Sequence, residues 1–186
     1  LDVLSGRVQV GKRAAIIGAG GIGFDVAEYL VHEGDSSTLD PARWMAEWGV
    51  DPTFESRGSL VKPRPEAPAR EVWLLQRSAG KPGARLGKTS GWVHRATLKA
   101  KQVKMLGGVE YLGVDEAGLK ILVEGVEQVL PVDHIVVCAG QEPRRDLQAE
   151  LLAAGITAHL IGGADVAAEL DAKRAIDQGS RLAAAL

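Results

Sequence analysis

The first regular signal in the chain is the segment Arg13 to Ile17, apolar from Ala14 onward, followed at once by four glycines in the six positions 18 to 23. A short continuous apolar run reads as a strand covered on both faces. From Gly21 to Leu30 the apolar residues Ile22, Val26, Ala27 and Leu30 recur at helical spacing and share one face. The pattern predicts a strand, a tight turn and a helix. It then breaks off between residues 33 and 69, where five prolines and many turn residues predict a surface excursion. Inside that excursion Asp40-Pro41 signals the start of a short helix that carries Trp44 and Trp48 one turn apart.

Regular patterning resumes with a strand over Val72 to Gln76, a helix over Trp92 to Ala100 and a strand over Val103 to Leu106. Residues Val109 to Ala139 read as antiparallel strands forming a small β-meander. Its strands are EYLGV, LKILVEG, VEQVLPV and the apolar HIVVCAG, with a turn at Glu116-Ala117-Gly118. Helical spacing returns over Arg145 to Ala154 and Asp171 to Leu186, separated by the strand-like HLIGG. The expected fold class is α/β, a Rossmann-like domain with a parallel sheet and a small β-meander.

The glycines carry the first chemical expectation. Gly18-x-Gly20-x-x-Gly23, placed after a strand and before a helix, matches the dinucleotide fingerprint of tight turn, close pyrophosphate approach and close helix–strand packing. Backbone at Gly18, Gly20, Gly21, Ile22 and Gly23 is therefore expected to face a diphosphate at the helix N-terminus. An NAD site ends its second strand in Asp or Glu for the ribose 2′-hydroxyl. Here that strand ends Leu75-Gln76-Arg77-Ser78 with no carboxylate. Arg77 is a planar donor suited to a 2′-phosphate, with Gln76 and Ser78 beside it, so NADPH is favoured over NADH. The interval from the glycines exceeds the usual twenty residues by an amount that matches the excursion.

Composition sharpens this locally. The net charge of −2 and pI near 6.1 give no global basic field, and no apolar run is long enough to span a bilayer, so neither nucleic acid nor membrane is an expected partner. Yet eight Lys or Arg residues and no acidic ones lie between Arg77 and Lys104. Lys81 and Lys88 are expected to join Arg77 at the cofactor phosphates. Lys99, Lys101 and Lys104 read as the solvated face of a helix, and His94 and Arg95 as packing beside Trp92. The single cysteine, Cys138, sits in an apolar run and reads as a buried structural thiol; one thiol excludes a disulfide framework and points to the cytoplasm. No catalytic acid, base or metal-ligand spacing stands out.

Taken together, GAGGIGFDVAEYL, the excursion with AEWGVD, LLQRSAGKPGARLGKTSGWVHR, VVCAGQEPRRDL and LIGGADVAAELDAKRAIDQG closely resemble the C-terminal portion of bacterial NADPH-dependent 2,4-dienoyl-CoA reductases. The resemblance covers essentially the whole chain. It implies a flavoenzyme in which an NADPH domain is inserted into a FAD domain, with FMN in a barrel and an iron–sulfur cluster elsewhere in the parent protein. Residues 1–9 and 139–186 would then belong to the FAD domain and 10–138 to the NADPH domain, with the excursion 33–69 inside it. Gly163 and Asp165 would belong to the flavin site, Asp165 hydrogen-bonding the ribitol, and the backbone near Asp171 and Ala172 would face the flavin ring. The resemblance also implies that these 186 residues are a piece of a longer protein and that NADPH, the FAD domain and the barrel of the parent chain are its partners. Two alternatives stay open: a related flavin oxidoreductase acting on an enone, enoate or amine, and a dinucleotide-binding regulatory module that passes no electrons.

Overall fold

The segment Arg13–Ile17, apolar from Ala14 onward, forms β1, and the glycine turn delivers the chain directly into α1, Gly21–Val31. These elements belong to a computed structural model that describes residues 1–167 and 172–186. The chain divides into two compact units, Leu1–Ala139 and Gly140–Leu186.

In the first unit, β2 (Glu71–Leu75), β3 (Lys104–Leu106) and β7 (His134–Val137) join β1 in a parallel sheet of order β3-β2-β1-β7. Helix α3, Gly91–Ala100, crosses from β2 to β3. The central strands are sealed on both faces. Ala14, Ile16, Val72 and Leu74 meet Phe24, Ala27 and Leu30 of α1 and Leu98 of α3. Ala15, Trp73 and Leu75 meet Val109, Leu119, Ile121 and Leu130 on the other side. That second layer comes from the antiparallel strands β4 (Glu110–Asp115), β5 (Gly118–Val123) and β6 (Val126–Leu130). The hairpin between β5 and β6 turns on Glu124 and Gly125, both with positive φ (51° and 77°), which suits the twist of the flanking strands.

The α/β architecture with its parallel sheet and meander is as the sequence indicates, with two corrections. HIVVCAG does not extend the meander; its strand β7 pairs in parallel with β1, from Ala14↔His134 to Ile17↔Val137. An apolar run with no polar alternation suits a parallel sheet better than a one-sided antiparallel one. In the second unit, HLIGG forms no strand; Gly162–Ala164 makes a single 3₁₀ turn, with Gly162 at φ 60°. Helices α4 (Asp146–Ala153) and α5 (Ala172–Ala185) flank that turn in sequence.

The excursion is an ordered substructure. Helix α2, Pro41–Trp48, is capped by Asp40, whose Oδ1 accepts from the N–H groups of Ala42 (3.0 Å) and Arg43 (3.2 Å). Gly49 ends it in the left-handed conformation at φ 72°. Arg43 grips Glu66 through two hydrogen bonds of 2.7 and 2.8 Å. Lys101, only 6% exposed, donates to Glu47 (3.1 Å) and to the Glu66 carbonyl (3.2 Å). The expectation that Lys101 and Lys104 share a solvated helical face is thus corrected. Lys101 ties α3 to the excursion, while Lys104 lies on β3, paired with Glu71 and 4.4 Å above the Trp73 ring.

Asp51 holds the turn after α2. Its carboxylate accepts from the Thr53 hydroxyl (2.6 Å) and from the N–H groups of Thr53 (2.9 Å) and Ser56 (2.7 Å). Led by the Thr53 hydroxyl bond, these donors hold its pKa far below the carboxylate range. A depressed folded pKa contributes stability that is fully present above the unfolded value of about 4 and is lost as pH falls toward the folded one. Amide exchange at Thr53 and Ser56 is therefore expected to hold constant from neutral pH to about 4, corrected for intrinsic rates, and to quicken below it. Asp51→Asn should show the faster exchange already at neutral pH.

Candidate functional site

The three glycines of the fingerprint have three different environments. Gly18 sits at φ +113°, and its N–H donates to the Leu75 carbonyl at 2.8 Å, which tucks the turn over the end of β2. A side chain there would also come within 2.9 Å of the Cys138 backbone at the end of β7. At Gly23 an added Cβ would overlap the carbonyl oxygen of Gly18, so α1 rides directly on the turn. Around Gly20 and Gly21, by contrast, an added Cβ would meet nothing within 4 Å.

That open ground lies at the start of α1. Gly20 occupies the cap position without a capping side chain, and no carboxylate stands in the first turn. The leading N–H groups of the helix lack intrahelical acceptors, and the helix dipole adds partial positive charge. Ile22, expected on the buried face, is 48% exposed in this first turn; Gly23, Phe24, Val26, Ala27, Leu30 and Val31 form the buried face instead.

A second wall is built at the end of β2. The Gln76 side chain turns inward and donates to the carbonyls of Ser78 (3.0 Å) and Gly80 (3.3 Å). From the loop after β3, the N–H of Gly108 donates to the Ser78 carbonyl at 2.9 Å, and a Cβ at Gly107 would overlap the Gly80 carbonyl. Gln76 therefore braces the loop, and Arg77 and Ser78 are left exposed at its crest. Arg77 makes no hydrogen bond or ion pair among the described residues. The segment that follows is folded back on α1. A Cβ at Gly83, itself at φ 72°, would stand 2.5 Å from the Phe24 ring, and Arg95 Nη1 donates to the Gly83 carbonyl at 2.8 Å. His94 Nδ1 and Glu28 Oε1, 2.8 Å apart, fasten α3 to α1. Lys81 and Lys88 are both exposed on this segment. Sequence reasoning missed Gln76 as a brace, Gly83 and Gly107; only the Gly107-Gly108 pair carried a visible signal.

Cys138 is half-buried, and burial pushes its thiol pKa up, which disfavours the thiolate. In the second unit, Asp165 is half-buried beside Gly163 in the turn. Gln178 Oε1 accepts from the Gly162 N–H at 2.8 Å, and its Nε2 donates to Asp165 Oδ2 at 2.9 Å. Arg145 donates to the carbonyls of Ala164 and Asp165. Ala172 begins α5, and Asp171 lies outside the described residues. No described helix is long and apolar enough to cross a membrane.

Residues 3–173 match the family described as pyridine nucleotide-disulphide oxidoreductase. A curated relative, a metal reductase of Desulforamulus reducens, is 26% identical over 148 residues, covering 78% of this chain and 21% of that protein. The chain thus spans about a fifth of that relative's length. Among solved structures, a 2-naphthoyl-CoA reductase in complex with 2-naphthoyl-CoA matches 97% of this chain and 22% of its own, with a TM-score of 0.64 and 18% identity. Histamine dehydrogenase from Rhizobium sp. 4-9 matches 98% of this chain and 24% of its own, with a TM-score of 0.60 and 16% identity. At these identities the solved structures establish a shared fold.

The glycine environments make opposite demands. Gly23→Ala is expected to destabilise the protein by roughly 1–3 kcal/mol or more through overpacking. Gly20→Ala, with open space around it, should cost less, on the order of 0.5–1 kcal/mol, the margin by which glycine outranks alanine at a helix cap. Thermal unfolding of the two variants checks the contrast.

Proposed function

We propose that this chain, which belongs to the pyridine nucleotide-disulphide oxidoreductase family, binds NADPH at the Gly18–Gly23 turn as the electron-input module of a flavin-dependent reductase. One observation carries the reading. The glycine turn is closed where helix and strand must touch and open where a diphosphate would lie, in register with an unpaired arginine at the end of β2.

Each residue has a definite task. The first N–H groups of α1 bind the diphosphate, and Gly20 and Gly21 let it approach the backbone. Arg77 meets the 2′-phosphate with a planar, charge-assisted donor pair, and Ser78 adds a hydroxyl. Lys81 and Lys88 add positive charge from the segment braced on Phe24. NADPH supplies a hydride when bound; the protein supplies position and charge, and no side chain here is assigned as acid or base.

We assign residues 10–138 to NADPH binding and 1–9 with 139–186 to a FAD-binding domain. The geometry at Asp165 supports the second assignment: Gln178 engages Oδ2, which leaves Oδ1 as the acceptor for a ribitol hydroxyl. Gly163, Ala172 and Asp171 are assigned to the same flavin contact on the motif resemblance. Reduction of a 2,4-dienoyl-CoA is the activity those motifs favour, with FMN and an iron–sulfur cluster carried by other domains of a parent protein. An enone or amine oxidoreductase is the alternative, since a dehydrogenase of histamine has the same fold over this stretch. A single, poorly ionised thiol suits the reducing cytoplasm.

Arg77→Ala is expected to weaken NADPH by about 1.5–3 kcal/mol while leaving NADH nearly unchanged, because only the 2′-phosphate accepts that bond. Gly20→Val should abolish binding of both cofactors in a protein that remains folded. Titration calorimetry distinguishes the cases: equal weakening of both cofactors by Arg77→Ala contradicts the 2′-phosphate assignment, and normal binding by Gly20→Val contradicts the diphosphate site.

A further inference from the structure

Two polar groups near the end of β2 have no hydrogen-bond partner among the described residues. One is the Arg77 guanidinium, exposed at the crest of the loop. The other is the Tyr111 hydroxyl, whose oxygen is closed off from solvent and makes no hydrogen bond. A buried hydroxyl that forgoes its hydrogen bonds carries a cost, and most such groups in folded proteins are satisfied.

Backbone geometry brings the two residues to one place. Trp73 and Leu75 face the meander layer, and Gln76 continues the ladder by donating its N–H to the Leu106 carbonyl at 3.0 Å. Alternation along an extended chain therefore turns position 77 toward the meander as well. From the other side, the N–H groups of Gly108 and Val109 donate to the carbonyls of Ser78 (2.9 Å) and Gln76 (3.0 Å), which pins the entry of β4 against the end of β2. Two residues further on, Tyr111 pairs with the buried Ile121 and packs against the cluster that holds Leu75. The register then shifts between Tyr111 and Gly113, an irregularity of the kind that re-aims side chains beside sites. Burial pushes the Tyr111 phenol pKa up, and the positive charge of Arg77 acts against that rise, so the guanidinium is felt at the ring.

We propose that Tyr111 is a positioning residue for Arg77: its hydroxyl oxygen accepts one guanidinium N–H when NADPH is bound and so fixes the angle at which the fork meets the 2′-phosphate. This rests on the assignment of Arg77 above and adds to it a residue that does not itself touch the ligand. The guanidinium carries more N–H donors than a bidentate grip on phosphate uses, and a phenol oxygen accepts as well as donates. Because the hydroxyl is unpartnered in the free chain, its bond to Arg77 is gained only in the complex and counts toward cofactor affinity. NADH has no 2′-phosphate to draw Arg77 into place, so the gain belongs to NADPH alone.

The test titrates NADPH and NADH into the parent chain, Tyr111→Phe, Arg77→Ala and the double variant, with melting temperatures confirming folding. Tyr111→Phe removes a single oxygen that has no partner, so it is expected to melt no lower than the parent. It should weaken NADPH about fivefold, the scale of one hydrogen bond, and NADH by less than about twofold. In the Arg77→Ala background it should cause no further loss of NADPH. A second measurement needs no variant: in the NADPH-bound parent, a nuclear Overhauser contact is expected between the Arg77 δ-methylene and the ring of Tyr111, one of only two tyrosines in the chain. The proposal is overturned if folded Tyr111→Phe binds NADPH as the parent does, weakens both cofactors equally or costs the same factor without Arg77, or if the Overhauser contact is absent. Any of these results beside a selective loss of NADPH in Arg77→Ala removes Tyr111 and keeps the 2′-phosphate assignment. Equal loss of both cofactors in Arg77→Ala, or a parent chain that fails to bind NADPH, removes that assignment and the proposal with it.

Discussion

Helix α1 approaches the turn after β1 so closely that position 23 has no room for a β-carbon beside the Gly18 carbonyl. Much of the first unit follows from this contact. It seats Phe24, Ala27 and Leu30 against Ile16, Val72 and Leu74, which closes one face of the sheet. It also fixes where α1 begins, so that the unsatisfied N–H groups point into the open ground beside Gly20 rather than into a side chain. The same approach makes packing and recognition inseparable here. The glycine that lets the helix dock and the glycine that leaves room for a ligand are three residues apart and serve one geometry.

Charge is sorted along the strands in a way that complements that geometry. At the N-terminal ends of the sheet, Arg13, Lys101 and Lys104 are consumed by Asp133, Glu47 and Glu71, and Arg70 closes on the carbonyls of Val10 and Leu30. Those contacts fasten strand to strand and excursion to core. At the C-terminal ends, Arg77, Lys81 and Lys88 have no such partners among the described residues. Exposed cations without partners are favourable to an anion, and the proposed phosphate contacts rest on them.

The sequence made the local elements of the fold legible because its punctuation is strong. Apolar runs, the Asp40-Pro41 start and the glycine turn each act over a few residues, and each has its counterpart in β1, α2 and α1. Long-range pairing was not legible in the same way. HIVVCAG follows the meander directly and reads as its continuation, yet it crosses to β1 because β1 has a second edge to satisfy, and nothing within HIVVCAG records that demand. Lys101 illustrates the same limit, since its burial depends on Glu47 and Glu66, more than thirty residues upstream in the excursion. In the candidate site, residue types at the glycine turn and the end of β2 were visible, but their division of labour was not. Gln76 reads as a cofactor contact, and its side chain also braces the loop that presents Arg77, a role its residue type did not announce. HLIGG reads as a strand, whereas Gln178 and Arg145 hold its end as a turn through side-chain bonds that no periodicity encodes.

The central claim, that the opening of α1 and the end of β2 form one anion-binding surface for a phosphorylated dinucleotide, is tested most directly by following backbone amide resonances during an NADPH titration. The account predicts the largest shifts at Gly20, Gly21, Ile22 and Gly23, with Arg77 and Ser78 moving in the same saturable transition and the amides of Asp51 to Ser56 staying fixed. Saturable binding that leaves the amides of residues 20–23 in place and moves another part of the chain would contradict it.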